Sequence, residues 1–179
     1  DAISKMPAFN SQGIANMAWA CAKLAFEHRP LLEAMSAVSQ PTMGEFQATG
    51  LASLAWAFAS LGVADRPLLS AISAESLPRL HAFSARHIGS TVWAFATLMV
   101  ADEPLLEALA VLALSKMDDF DGQGLSNTAW SFAALRWQDG PLSTALACAA
   151  MALLSELRSQ GLANTAWALA RLSGADAPC

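Results

Sequence analysis

Apolar residues recur along this chain at helical spacing. Leu68, Leu69 and Ile72, matched by Leu105, Leu106 and Leu109, form the stripe of a helix that packs on one side. Between such stripes lies a second kind of segment, dominated by alanine and glycine, as in Gly50 to Ala59 and Gly161 to Ala170. It too reads as a helix. We call the small-residue segment helix A and the leucine-striped one helix B. Asn10, Ser84 and Asp121 are good N-caps for helix A, with the poorer Gln47 and Arg158 at matching positions, and the helix ends near Leu24, Leu61, Leu98, Leu135 and Leu172. Asp65, Asp102, Asp139 and Asp176 each stand two residues before a proline, where a carboxylate caps helix B and proline fits its first turn. Pro41 and Pro78 are expected to kink or end helix B in two copies.

The two helices recur together. Trp19, Trp56, Trp93, Trp130 and Trp167 stand 37 residues apart, as do Pro30, Pro67, Pro104, Pro141 and Pro178. The series Phe9, Phe46, Phe83, Phe120 and Leu157 keeps the same interval. A period of this length is expected of solenoids, whose units cannot bury their apolar faces alone. The fold class read from it is an all-α solenoid of paired helices with a 37-residue repeat. Residues 1–8 form the tail of a preceding repeat, 9–45, 46–82, 83–119 and 120–156 are full repeats, and 157–179 open a further one. Neither end resembles a polar cap, so the chain reads as part of a longer array whose ends further repeats or protein partners cover. Ala18, Ala55, Ala129 and Ala166, with Ala22, Ala59, Ala96, Ala133 and Ala170 four residues on, make a narrow ridge for close helix approach. The five tryptophans share that helix and are read as packing between layers.

Composition narrows the class. Of 179 residues 55% are hydrophobic, yet apolar runs such as Ala145 to Leu154 fall short of a membrane span, so no insertion is expected. Cys21, Cys148 and Cys179 are odd in number, and the first two lie in apolar helical stretches, as small hydrophobes in a reducing compartment. His28, His81 and His87 lack partners at metal-ligand spacing and read as solvated, and Asp118 and Asp119 as a solvated turn. No nucleotide or nucleophile motif is present, so neither an enzyme nor a cofactor is expected.

The pattern from Phe120 to Ala133, repeated from Gln160 to Ala170, resembles the octotricopeptide-repeat family and the related repeats that precede RAP domains. The resemblance spans essentially the whole chain. It implies a right-handed superhelix whose A helices line the concave side and bind RNA, supporting its processing, stability or translation in chloroplasts or mitochondria.

Polar positions of helix A that packing does not use give the candidate site. They are Gln12, Asn16 and Lys23 in the first copy, on one face by their spacing of four and seven. The others are Thr49, Ser53 and Ser60; Arg86, Ser90 and Thr97; Gln123, Asn127 and Ala134; Gln160, Asn164 and Arg171. Amides and hydroxyls suit the edges of splayed bases, and arginine and lysine suit phosphates. An alternative makes Asn16, Asn127 and Asn164 a hydrogen-bond ladder between neighbouring helices. The net charge of −5 opposes phosphate binding, but it is unevenly spread. Residues 10–25 and their four translations by 37 hold Lys23, Arg86, Arg136, Arg158 and Arg171 against Asp121, so the A layer carries +4 and the remainder −9. Single-stranded RNA is therefore the expected partner, bound modestly and salt-sensitively. The rival is a protein-interaction scaffold or structural subunit of a large organellar assembly, which the net acidity favours.

Overall fold

The computed structural model describes residues 6–172. The expectations for residues 1–5 and for Asp176, Pro178 and Cys179 lie outside them. Among the described residues the fold is all-α, with nine α-helices, short 3-10 turns and no strand. The chain forms two compact units, residues 1–83 and 84–179.

The first unit opens with a 3-10 turn at Met6–Ala8 and continues through α1 (Ser11–Lys23), α2 (Arg29–Ser39), α3 (Ala48–Ser60) and α4 (Arg66–Ser76). The A-type helices α1 and α3 pack against each other, and each also packs on the B-type helix that follows it. Their contact is made by small residues, with Ala18 and Ala55 fully buried, while Leu68, Leu69 and Ile72 close the core from α4. The prolines act as anticipated. Helices α2 and α4 stop at Ser39 and Ser76, and Pro41 and Pro78 stand in the first turn of the 3-10 segments Gln40–Glu45 and Leu77–Ala82. Arg79 secures this corner, pairing with Glu75 and donating to the Gly44 carbonyl at 2.9 Å.

The second unit contains α5 (Ala85–Thr97), α6 (Glu103–Ser115), α7 (Gly122–Ala134), α8 (Gly140–Ala152) and α9 (Ser159–Leu172). Helix α7 lies between α5 and α9, and α6 packs on α8, so A-type and B-type helices form two layers. Here the B helices, which no proline follows at the positions of Pro41 and Pro78, run 13 residues, against 11 in α2 and α4. Close approach within the A layer depends on glycine. A Cβ on Gly89 would sit 3.3 Å from Thr128 Oγ1 and 3.4 Å from the Gly124 carbonyl oxygen. Phe95, Phe120 and Phe132 fill the core beside Val92, Leu125 and Ala129.

Both ends of the helices are specified locally. The Leu68, Leu105 and Leu142 amides donate to Asp65, Asp102 and Asp139 at 3.0, 3.1 and 2.9 Å, as the aspartate spacing anticipated. In α2 the cap is His28, whose Nδ1 accepts from the Leu31 amide at 3.1 Å while its ring stacks on Phe26. His87 completes a reciprocal capping box with Ser84. These two histidines are structural caps, which corrects the reading of all three as merely solvated.

Each A helix from α1 to α7 ends in the same way. Ala25, Gly62, Met99 and Arg136 adopt left-handed φ values of 49°, 66°, 54° and 57°. The next residues, Phe26, Val63, Val100 and Trp137, donate back to Cys21, Phe58, Phe95 and Phe132 at 2.8–2.9 Å. This is the double-bonded helix terminus that satisfies the last carbonyls and places an apolar residue over the final turn.

Candidate functional site

The A helices hold the candidate residues on an accessible face. Gln12, Asn16 and Lys23 are exposed on α1; Thr49 and Ser60 are exposed and Ser53 half-buried on α3. In the second unit Arg86, Gln123 and Gln160 are exposed and Ser90, Asn127 and Asn164 half-buried. Side-chain caps at Asn10, Ser84 and Asp121 fix the starts of α1, α5 and α7. The Asp121 carboxylate accepts from the Gly124 amide at 2.6 Å and starts α7, on which Gln123 and Asn127, four residues apart, share a face.

Between α7 and α9 those side chains meet in a groove of about 400 Å³. Gln123, Asn127, Gln160 and Asn164 line it together with Ser126 and Arg158. Asp121 and Glu156 line it too, so its charge is not positive. A Cβ on Gly161 would sit 3.5 Å from Ser126 Oγ, an ordinary van der Waals contact, so the groove does not depend on that glycine. No hydrogen bond among the described residues joins Asn127 to Asn164, so the proposed asparagine ladder is not what holds these helices in register. Small-residue contact does that.

Two of the predicted residues have structural partners. The Arg171 guanidinium donates from Nε to the Ala133 carbonyl at 3.1 Å and lies 5.3 Å from the Trp167 ring centre. It thereby adds a second bond to a carbonyl that already accepts from the Arg136 amide at 3.1 Å. Lys23 Nζ lies 5.6 Å from the Trp19 ring and 5.3 Å from that of Trp56. Thr97 Oγ1 is buried and unpartnered, which removes it from any surface role.

The tryptophans require a correction. Trp19 is 47% and Trp167 44% exposed, and Trp56, Trp93 and Trp130 are half-buried, so none is a core residue. Phe58, Phe95 and Phe132, two positions further on, occupy the core instead. The signal was present in the spacing. Each tryptophan stands seven residues after the Gln12 series and three after the Asn16 series, which puts it on the same helical face as both. Cys148 also departs from expectation, being exposed, whereas Cys21 is buried. Burial pushes the Cys21 thiol above its ordinary pKa, with a smaller opposing effect from a backbone hydrogen bond.

Fold and site together define a class, a protein all-helical over its described residues that presents amides, indoles and scattered cations from the A helices of each unit. A family model described as RNA-editing substrate-binding complex 6 protein matches residues 2–177, and the chain belongs to that family. Comparison with curated proteins gives no match. The family match overturns the octotricopeptide resemblance, since this is a different helical family. The misreading has a physical source. Much of the motif from Phe120 to Ala133 is buried where α7 packs, namely Phe120, Leu125, Thr128, Ala129, Phe132 and Ala133. Close helix stacking asks for such residues whatever the family.

No helix among the described residues is long and apolar enough to cross a membrane.

Proposed function

We propose that this chain is a non-catalytic helical scaffold, a structural subunit of a mitochondrial RNA-processing assembly that carries protein partners and has RNA within reach of its A helices. Membership of a family named for an RNA-editing substrate-binding complex carries this reading. Charge supports a scaffold over a self-sufficient RNA binder: the chain is at −5, and the groove sets Asp121 and Glu156 against Arg158, where phosphate binding needs cations. The family favours a mitochondrion; it gives no support to a chloroplast or to a part in translation.

The architecture proposed for this role is a solenoid with a 37-residue repeat and the borders 9–45, 46–82, 83–119 and 120–156. Helix starts at Ser11, Ala48, Ala85, Gly122 and Ser159 support it. Direct RNA contact is the second reading, favoured by the groove amides of Gln123, Asn127, Gln160 and Asn164.

Affinity purification of the full-length protein from mitochondria, with and without ribonuclease and across a salt series, tests the scaffold. A fixed set of partner proteins retained in high salt after ribonuclease supports it. Partners lost to ribonuclease alone favour the RNA reading, and a protein that purifies by itself refutes the scaffold.

A further inference from the structure

We infer that the periodic tryptophans are stacking platforms for unpaired RNA bases, with the amides one turn earlier on each helix facing the base edges. The inference rests on the RNA reading of the A-helix face and says what that face would hold. Three observations carry it. The indoles are accessible, with Trp19 and Trp167 nearly half exposed, although a buried leucine or phenylalanine would serve packing as well. Along α7 and α9, Gln123, Asn127 and Trp130, and Gln160, Asn164 and Trp167, fall on one face at spacings of four and three. The ring faces already hold π-partners: Lys23 lies over Trp19 and Trp56, and Arg171 over Trp167.

An indole, an amide donor and acceptor on the same helical face and a cation that a base would displace from the ring toward its phosphate match a base, its edge and its phosphate. Trp93, Trp130 and Trp167 follow one another on α5, α7 and α9, which pack side by side. Adjacent helices lie about 8–10 Å apart, which suits bases splayed one per helix. Because the groove is not cationic, affinity has to come largely from stacking. An apolar protein partner would gain little from a face interleaved with Gln12, Asn16, Lys23, Arg86, Gln123 and Gln160. Duplex RNA, with its bases already stacked, would offer the indoles nothing.

The test uses full-length protein with oligouridylate, oligoadenylate and an RNA duplex, read by anisotropy and by indole fluorescence. Trp130→Leu and Trp167→Leu keep apolar bulk but remove the flat ring, Trp167→Phe keeps a ring, and paired Asn127→Ala and Asn164→Ala remove the amides. Wild type is expected to bind the single strands with quenching and to ignore the duplex. Each leucine variant should weaken binding about tenfold while leaving its salt dependence unchanged, and Trp167→Phe should retain most of the affinity. Should the leucine variants bind as wild type does while the amide variant is weakened, stacking is overturned and the RNA reading survives. If wild type binds no RNA and the tryptophan variants lose a protein partner instead, both are overturned.

Discussion

Replacing Met99 with glycine should stabilise the protein. Met99 sits at φ 54°, just past the end of α5, and a side chain in the left-handed region costs about 1–2 kcal/mol that glycine does not incur. The methionine is 70% exposed, so little packing is lost with it. Glycine's greater freedom in the unfolded chain offsets about half of the gain. The net expectation is a stabilisation of roughly 0.5–1 kcal/mol, or about 1–3 °C in melting temperature for a chain of this size. Gly62 supplies the reverse experiment. Its φ is 66°, and a Cβ added there would meet nothing within 4 Å, so Gly62→Ala isolates the backbone cost and should destabilise by about 1 kcal/mol. Urea unfolding followed by circular dichroism measures both, with the midpoint shifting and the slope unchanged. If Met99→Gly lowers the midpoint or Gly62→Ala leaves it in place, the left-handed terminus does not limit stability as argued.

Three further outcomes follow from the same geometry. Asp102→Ala removes the acceptor of the Leu105 amide and should cost about 1 kcal/mol in urea unfolding, whereas Asp102→Ser should restore most of it. Ser76→Ala should leave stability unchanged or raise it by up to about 1 kcal/mol, because the Ser76 hydroxyl is fully buried without a partner; a loss would show that the hydroxyl is satisfied in solution. Alkylation followed by peptide mapping should find Cys148 modified well before Cys21, with Cys21 needing the higher pH because its burial disfavours the thiolate; equal rates would contradict the burial of α1.

Much of the helix layout was legible in the sequence because it is written in local chemistry. The aspartates at 65, 102 and 139 cap the B helices they precede, and Pro41 and Pro78 mark where α2 and α4 stop. The left-handed helix ends were not legible, since glycine marks just one of the four, at Gly62, and alanine, methionine and arginine occupy the other three. The His28 cap was hidden for a similar reason, as a histidine stands where three aspartates define the rule. In the site, periodicity put Gln123, Asn127, Gln160 and Asn164 on one face, and the α7–α9 groove brings them together. The tryptophans were read as packing because they share a helix with the alanine ridge, although offsets of seven and three residues put them on the face of the amides. Family membership was misjudged because much of the motif that resembles one helical family is buried in the packing of α7.

The most direct test of the account is a crosslinking map of the affinity-purified assembly, taken with the full-length protein in place. It is predicted to show partner proteins joined to this chain and RNA joined to the A-helix peptides, above all Gln123 to Trp130 and Gln160 to Arg171. A chain that crosslinks to no partner protein, or whose RNA crosslinks all fall on B-helix peptides, would contradict it.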